Sequence, residues 1–298
     1  MSESEARLSV VVASQGPARH VERCLAELDR QRPDGIAEII LVTNAPDASQ
    51  DALRRAFPSV DIVCCPDAEL VPHLWGAGVL RGREGLVALT TSEMVPATGW
   101  ATALLAHHRE HAWAGVGGAI LPAPGLGPVD AAIYWLRYHR FADEPADGPV
   151  SDIAGDNACY RRSALAPYLD RIARDGFWEY ELNQTLLAAG QRLCLAPEAA
   201  VRYVGGESFG VFARQRLTHG QRFGRERVAH ATRLRRWLLL ATWPLTPAVL
   251  LARVLRGAAA ARSLRPLVPA MPALLTLIGC WSVGELFGYV HGASVVRP

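Results

Sequence analysis

The sequence has no lysine, since its 31 Lys-plus-Arg positions are all arginine. A bias in the coding DNA explains this better than a mechanism does. A strong excess of one charge is also lacking, because 29 acidic residues leave a formal net charge of only +2. The aromatic residues are not interleaved with the arginines as stacking platforms, so a nucleic-acid partner is not expected.

Cysteine pairs with metal or redox spacing are missing as well. The six cysteines include no Cys-x-x-Cys motif, and no signal peptide precedes the first apolar run. Reduced, mostly buried thiols in a cytosolic domain are therefore expected. His107 and His111 lie four positions apart, but few carboxylates lie near them in the sequence. Solvated histidines, or histidines that pair with a helix dipole, are favoured over a metal site.

The first part of the chain alternates short apolar runs with helical patterns. The runs at 8–13, 36–42 and 60–64 predict buried strands, and helical patterns separate them. This alternation predicts an α/β fold with a mostly parallel sheet, right-handed crossovers and flanking helices. A chain of 298 residues, half of them hydrophobic, can hold one such domain and an appendage.

The stretch LVALTTSEMVPATGW, residues 86–100, organises the middle of the chain. Its apolar start at 86–89 predicts a buried strand, which is followed directly by the polar residues 90–93. Ligands of open α/β sheets bind at the carboxyl ends of the strands, so these polar residues are expected at a binding site. Among them, Glu93 is the one carboxylate suited to a hard cation.

Three later segments carry further candidates. DIAGDNACYRRS at 152–163 places an Asp and an Asn directly after a glycine. GFWEYELNQTLLAAGQRL at 176–193 places Glu179 and Glu181 ahead of a leucine-faced helix that ends at Gly190. LAPEAAVRY at 195–203 predicts a closing strand.

In order and spacing, these segments resemble family 2 glycosyltransferases of the GT-A fold, over residues 1–228. The motifs that carry the resemblance are SVVVASQGPARHVERCLAEL, LVALTTSEMVPATGW, Gly155-Asp156-Asn157 and Glu-Tyr-Glu-Leu before Gly-Gln-Arg-Leu. The resemblance implies a GT-A sheet of mostly parallel strands with flanking helices. It also implies a nucleotide-sugar donor, a sugar acceptor and a divalent cation, Mg²⁺ or Mn²⁺.

The donor side implied by the resemblance comprises Thr43, Asn44, Thr91, Ser92 and Glu93. Thr43 stands where the family has an Asp that contacts the nucleotide. Residues 91–93 replace the acidic DxD-type triplet that holds the cation and diphosphate, which leaves Glu93 as a single metal ligand. Tyr203 replaces a His that helps to hold the cation. The two replacements together predict weak metal dependence or none, with arginines neutralising the leaving diphosphate.

The catalytic base implied by the resemblance is Glu179, which would accept the proton of the acceptor hydroxyl. A structural role for Glu179 is the alternative. The acceptor side comprises Gly155, Asp156, Asn157 and Trp178, and Asn157 would orient the substrate. Asp156 either compensates for the altered triplet or caps a surface turn.

The segment SFGVFARQRLTHGQRFGRER at 208–227 resembles the Arg-Gln-Arg segment of membrane-associated members. Two interpretations stay open for this basic region. Arg214, Gln215 and Arg216 suit a diphosphate clamp, whereas Arg233, Arg235 and Arg236 suit a juxtamembrane basic patch.

The C-terminal region, 229–298, is apolar and predicts helices that associate with a membrane. The segment at 237–252 is short and contains Pro244 and Pro247, whereas 266–284 approaches the ~20 residues of a membrane span. An interfacial or re-entrant hairpin, a two-helix anchor and a buried pair in a soluble protein all remain open. Membrane attachment is favoured.

These observations lead to two functional hypotheses. The first is a glycosyltransferase at the cytoplasmic face of the membrane that moves a sugar, with inversion, to a hydroxyl of a lipid-linked or cell-envelope glycan. The second is a catalytically inactive glycosyltransferase-like scaffold of an envelope polysaccharide assembly complex. In both, residues 1–228 form the GT-A-like domain and 229–298 the membrane-associating region.

Overall fold

The computed structural model describes residues 7–68, 70–141, 148–229, 231–261 and 264–292, with no side-chain description at 48, 49 and 266. The strands are β1 (Leu8–Ser14), β2 (Ile36–Thr43), β3 (Val60–Cys64), β4 (Leu86–Thr91), β5 (Met94–Pro96), β6 (Gly115–Pro122), β7 (Gly148–Val150), β8 (Asn157–Arg161) and β9 (Leu193–Tyr203). The helices are α1 (Ala18–Arg30), α2 (Asp51–Ala56), α3 (Val71–Arg81), α4 (Trp100–Glu110), α5 (Pro128–Tyr138), α6 (Arg162–Leu165), α7 (Leu169–Asp175), α8 (Glu179–Ala188), α9 (Phe209–Ala229), α10 (Arg233–Thr242), α11 (Thr246–Ala260) and α12 (Leu264–His291).

The chain divides into two compact units. The first contains the described residues of Met1–Ala123 and Asp143–Val204, and the second those of Pro124–Ala142 and Gly205–Pro298. The predicted boundary after residue 228 lies inside the second unit, near the end of α9. Helix α5 belongs to the second unit although it lies between two strands of the first in the sequence.

The first unit is built on one nine-stranded sheet. Its order is β3-β2-β1-β4-β8-β6-β9-β5, and β7 also pairs with β9. Strands β1, β2, β3, β4, β6 and β9 run in one direction, whereas β5, β7 and β8 run in the opposite direction. The sheet is therefore mostly parallel, as the sequence predicts, with β8 inserted between two strands that it opposes.

The central strands carry the core of the first unit. Every residue of β1 and β4 is buried. A strand without a solvent face must be covered on both sides, which explains why their sequences are continuous apolar runs rather than alternating ones. Polar residues stand at the carboxyl ends of β1, β2 and β4, which are Ser14, Thr43 and Thr91. The register pairs Ser14 with Thr43 and Ala13 with Thr91, so the three polar ends lie side by side.

The second unit is helical, and its centre is the crossing of α9 and α12. Gly220 and Gly224 of α9 lie against Gly284 and Gly288 of α12, where the two backbones nearly touch. A β-carbon at Gly284 would lie 2.1 Å from the carbonyl oxygen of Leu217. Only glycine permits such an approach between helices. At the same crossing, Arg227 Nη1 donates to the buried Glu285 Oε1 at 3.0 Å.

Two segments of the second unit are long and apolar enough to span a membrane by length and composition. They are Arg233–Ala260, with a mean hydropathy of 1.7, and Leu267–His291, with 1.6. The first is longer than the segment predicted at 237–252, because a 3-10 turn at Trp243–Leu245 carries the helical path past Pro244. Only 6% of its apolar window is buried, against 39% for the second.

Candidate functional site

A hydrogen-bonded chain links the ends of β1 and β4. Ser14 Oγ donates to Ser92 Oγ at 2.9 Å, and Ser92 Oγ donates to Glu93 Oε1 at 3.0 Å. The backbone supports this arrangement, since the Ser92 amide donates to the carbonyl of Ala13 at 3.0 Å. Residues 92 and 93 are thus held against β1, at the carboxyl end of the parallel strands.

The carboxylate of Glu93 is largely buried and lies over the first turn after β1. The Glu93 side chain occupies the space that a side chain at residue 16 would need. A β-carbon at Gly16 would lie 2.3 Å from Glu93 Oε1. Burial, together with the negative charge of Glu93, raises the pKa of the Cys24 thiol far above its usual range. Glu93 therefore places a carboxyl group in a poorly solvated position at the end of the sheet.

The end of β2 is tied to the same region through the carbonyl of Ala68. This oxygen accepts hydrogen bonds from Asn44 Nδ2 at 3.2 Å and from Gln15 Nε2 at 3.4 Å. Thr43 is buried, and its Oγ1 accepts from the Ala45 amide at 3.1 Å. The predicted donor-side residues of β2 and β4 thus lie at the carboxyl ends of parallel strands in the same sheet.

The predicted Gly155–Asn157 turn lies beside the end of β4. Thr91 Oγ1 donates to Asp156 Oδ1 at 3.4 Å, and both residues are buried. Asp156 is therefore a buried residue beside the end of β4 and not a surface residue. Thr90 pairs with Asn157 across the antiparallel ladder of β4 and β8.

The side chain of Asn157 is used by the protein itself. It accepts from Trp100 Nε1 at 2.8 Å and donates to the carbonyls of Ala119 at 3.0 Å and Ala199 at 2.8 Å. These two carbonyls lie where the β6–β9 register shifts after Gly118. Asn157 therefore satisfies the backbone at an irregularity of the sheet, a role that the sequence motif alone does not reveal.

Glu179 is brought to the same end of the sheet by close backbone packing. Trp75 Nε1 donates to the carbonyl of Thr90 at 2.8 Å. The Trp75 ring in turn lies over Gly155, where a β-carbon would be 2.8 Å from the ring and 3.2 Å from Glu179 Cβ. Gly155 thus allows Trp75 and Glu179 to approach one turn of chain. Glu179 is half-buried in the first turn of α8, where the helix dipole favours a carboxylate.

Asn183 fixes α8 in this position and was not predicted as a site residue. It is fully buried, and its Nδ2 donates to Asp152 Oδ1 and to the carbonyl of Ile153, both at 2.9 Å. Its Oδ1 accepts from Tyr160 OH at 2.9 Å. Burial, with the charges of Glu179 and Asp152, raises the pKa of Tyr160 well above its usual value, so this hydroxyl stays a donor. Its position, as a polar residue on the leucine face of α8, was the signal in the sequence by which Asn183 could have been found.

Trp178 precedes Glu179 at the start of α8. Its Nε1 donates to the carbonyl of Asp175 at 2.7 Å, and its ring meets His73 edge-on at 6.3 Å between ring centres. Beside it, Glu181 Oε2 accepts from Arg171 Nη2 at 2.5 Å. Trp178 and Arg171 share a shallow hollow whose other lining residues are Tyr168, Ile172, Gly176, Phe177 and Leu182.

The predicted metal ligand Glu93 has few companions. In the part of the chain that the structure describes, no group of three or more His, Cys, Asp or Glu could hold a metal ion. Tyr203, at the position of the family's His, is fully buried and pairs with Met94 in the β5–β9 ladder. The backbone of Tyr203 therefore pairs within the sheet, and its side chain is buried.

The predicted clamp residues Arg214, Gln215 and Arg216 belong to the second unit, on α9. Successive helix residues are rotated by ~100°, so Arg214 and Arg216 project from nearly opposite sides of the helix. Arg214 is exposed, whereas Arg216 lies on the side that faces α12. The single basic motif is therefore divided into two different environments.

Comparison with known proteins places the fold. No family model and no curated protein sequence matches this chain. Among solved structures, the mannosyltransferase PcManGT from Pyrobaculum calidifontis, in complex with GDP-Man and Mn²⁺, matches with a TM-score of 0.57 at 15% identity, over 95% of this chain and 88% of that one. GalNAc-T7 with UDP, GalNAc and Mn²⁺ matches with a TM-score of 0.52 at 12% identity, over 70% of this chain and 44% of that one. The chain thus has a GT-A-like fold, with a mostly parallel sheet flanked by helices and two apolar C-terminal helices.

Proposed function

We propose that this chain is a glycosyltransferase, which moves a sugar from a nucleotide-diphosphate donor to a hydroxyl of an acceptor. The fold supports this, since the matched structures include a mannosyltransferase with GDP-Man and GalNAc-T7 with UDP and GalNAc. The observation that carries the proposal is the meeting of three segments at the carboxyl end of β4. Ser92–Glu93, Gly155–Asn157 and the start of α8 at Glu179 all lie there.

In the proposed reaction, Glu179 acts as the base. Its carboxylate accepts the proton of the acceptor hydroxyl while that oxygen forms a bond to the anomeric carbon. The bond from the anomeric carbon to the diphosphate breaks, and the nucleotide diphosphate leaves with the electron pair. A single displacement of this kind inverts the configuration at the anomeric carbon. Glu179 is intermediate in burial and lies at the start of α8.

Donor binding is assigned to the ends of β2 and β4. Thr43 and Asn44 would contact the nucleotide, and Thr91, Ser92 and Glu93 the diphosphate–sugar region. Of the predicted clamp residues Arg214, Gln215 and Arg216, which belong to the second unit, we retain only Arg216 as a contact of a phosphate group. Membership of family 2 is part of this proposal, on the basis of the motifs named above.

A bound Mn²⁺ is not used in the proposed reaction. Both matched structures contain Mn²⁺. No cluster of three acidic, His or Cys ligands forms among the described residues, so a cation that arrives with the diphosphate would have few protein ligands beside Glu93. Donor binding is therefore expected to persist when divalent cations are removed.

We further propose that the second unit attaches the enzyme to the cytoplasmic face of a membrane. Leu234, Trp237 and Leu238 of α10 are strongly exposed, at 71%, 71% and 56%. Of the predicted basic patch, Arg233 and Arg235 are exposed and would face anionic head groups, whereas Arg236 Nη2 donates to the carbonyl of Val290 at 2.6 Å. Such attachment suits a lipid-linked or cell-envelope glycan acceptor. Vesicle flotation tests this, and the double variant Leu234→Asp/Trp237→Asp should stay in the soluble fraction.

The donor site is tested by calorimetry on the full chain in detergent. UDP, GDP and their sugars are titrated in Mn²⁺ and then in EDTA. We expect one nucleotide sugar to bind in both conditions, and nucleotide release to begin when a lipid-linked glycan acceptor is added. If none of these nucleotides or sugars binds, the proposed donor site is wrong.

A second candidate function is favoured by one observation. Of the ligands of a metal-dependent donor site, residues 91–93 keep only Glu93 and Tyr203 replaces the His, and no group of three or more ligands forms among the described residues. A chain that kept the fold without catalysis would serve as a scaffold for envelope polysaccharide assembly. Glu179→Gln separates the two functions, because a scaffold would keep its cellular role with this substitution and a transferase would lose it.

A further inference from the structure

Arg216 occupies an unusual position inside the helical unit. Its guanidinium carbon lies 4.3 Å from the centre of the Trp281 ring and 5.8 Å from that of Phe212. Trp281 is on α12, and Phe212 is one turn earlier on α9. Two aromatic faces therefore hold the charged group on the packed side of α9 rather than in solvent.

Within the described part of the chain, the Nε of Arg216 is buried without a hydrogen-bond acceptor. A guanidinium carries five N–H donors, and burying such a group without acceptors is costly. Burial, with the nearby charge of Arg137, lowers the pKa of Arg216 to about 9. The group is still cationic at neutral pH, so its charge lacks a counter-ion of its own.

A second arginine lies in the same place. The guanidinium carbon of Arg137, on α5, is also 5.8 Å from the centre of the Phe212 ring, so the two guanidinium carbons are no more than twice that distance apart. Arg137 Nη1 donates to Glu207 Oε1 at 3.4 Å, a long contact for an ion pair. The negative charge of Glu207 also acts on Arg216.

The neighbouring histidine adds no negative charge and takes up no proton. His219 is one turn after Arg216 on α9. Burial and the charges of Arg216, Arg137 and Arg222 lower the pKa of His219 to about 3, so its ring is neutral at physiological pH. The cluster of Arg137, Glu207, Arg216 and His219 therefore carries a net positive charge in a poorly solvated position.

We propose that Arg137 and Arg216 form a binding site for the phosphate group of a phosphorylated ligand. Phosphate oxygens match the planar fork of a guanidinium, and a dianion would supply the missing charge and acceptors together. The contact with Glu207 would hold Arg137 in place. Arg214, which is exposed on the other side of α9, takes no part in this site.

The inference deepens the proposed diphosphate role of Arg216 and replaces its partners Arg214 and Gln215 by Arg137. The phosphate could come from a soluble nucleotide or from a lipid head group, since both present the same oxygens. Binding of inorganic pyrophosphate requires neither sugar transfer nor the donor site, so the inference can fail or hold independently of the proposed function.

The test is calorimetry of the full chain with inorganic pyrophosphate, and then with nanodiscs containing phosphatidic acid or only phosphatidylcholine. The variants are Arg137→Gln and Arg216→Gln. Arg225→Gln is the matched control, because Arg225 is an exposed arginine on the same helix. We expect at least a tenfold loss of affinity in both variants and less than a twofold change in the control.

Each outcome decides the matter. A loss for pyrophosphate alone identifies a soluble phosphate ligand, and a loss for phosphatidic acid alone identifies a lipid phosphate. Equal losses in the control and in the two variants would mean non-specific charge attraction and would overturn the site, as would unchanged binding in Arg216→Gln. Should Arg216→Gln not fold, Arg137→Gln and Arg216→Lys provide the same comparison. Turnover without arginine-dependent phosphate binding would reject this site and leave the transferase intact.

Discussion

Gly16 and Glu93 approach so closely that a β-carbon on residue 16 would lie 2.3 Å from the carboxylate oxygen of Glu93. The first loop of the sheet thus sets where the acidic group after β4 can lie. We expect Gly16→Ala to displace Glu93 and to weaken donor binding by tenfold or more, measured by calorimetry.

The matched control for Gly16 is Gly85→Ala. Residue 85 precedes β4, and a β-carbon there would have no neighbour within 4 Å. Its donor affinity and unfolding midpoint should equal those of the wild type. Equal donor affinity in Gly16→Ala would mean that Glu93 has no part in donor binding.

Glu179 is expected to be essential for turnover but not for folding. Glu179→Gln keeps the size and polarity of the side chain but cannot accept the hydroxyl proton, so the rate should fall by at least ~10²-fold, a typical loss for a general base. Donor affinity and thermal midpoint should change little. Nucleotide release with and without acceptor measures the effect.

Glu181→Gln provides the comparison on the same helical turn. Glu181 pairs with Arg171 at the protein surface, so its loss should cost turnover less than threefold. If both glutamate variants lose activity equally, charge at the start of α8, rather than a base at residue 179, governs the rate.

His108 should make the first unit sensitive to acid. Burial lowers the pKa of His108 to about 4, while an unfolded histidine titrates near ~6.5. Between these values the unfolded chain binds a proton that the folded chain does not, so stability falls as the pH falls. The loss from this one group between pH 7 and pH 5 is about 2 kcal/mol.

Urea unfolding at several pH values, compared with His108→Gln, measures this contribution. Glutamine can still donate to the Cys159 carbonyl, which His108 Nε2 contacts at 3.1 Å, but it does not titrate. The variant should show a flatter dependence on pH in this range. Parallel curves for the two chains would show that His108 does not cause the acid loss.

The glycines at the α9–α12 crossing should tolerate no side chain. Gly284→Ala places a methyl group 2.1 Å from the carbonyl oxygen of Leu217, and overpacking of this kind costs about 1–3 kcal/mol. Thermal unfolding of the detergent-solubilised chain should show a clear drop. Gly279→Ala on the same helix has open space around it and should leave the midpoint unchanged or raise it.

The sequence was sufficient to predict the strands that are buried on both faces and the helices that bury one apolar face. The run at 60–64 became β3 with those bounds, and the run at 8–13 became β1 with Ser14 added. The order of these strands and helices also predicted the sheet class. Local pattern and packing agree in these segments, so no tertiary contact overrides them.

Other parts required the three-dimensional fold. Strand β8 follows the Gly155-Asp156 turn, and its antiparallel pairing depends on a distant partner, β4. Helix α3 was not predicted, because its two glycines serve close packing, with Gly78 against Val11 and Gly76 against Gly176. The division of Arg214 from Arg216 depends on where α12 packs, which the basic motif does not encode. The roles of the site residues themselves stay predictions.

The discontinuous second unit restricts how this protein can be shortened. The chain passes from one unit to the other three times, after Ala123, after Ala142 and after Val204. A chain ended at Val204 would retain α5 but lose its helical neighbours α11 and α12. Three residues of α5 are buried in the whole protein, and their exposure should be examined in such a fragment: Ala132, Ile133 and Trp135. Removing the apolar C-terminal helices cleanly therefore requires a second excision, with residues 124–142 replaced by a short polar linker.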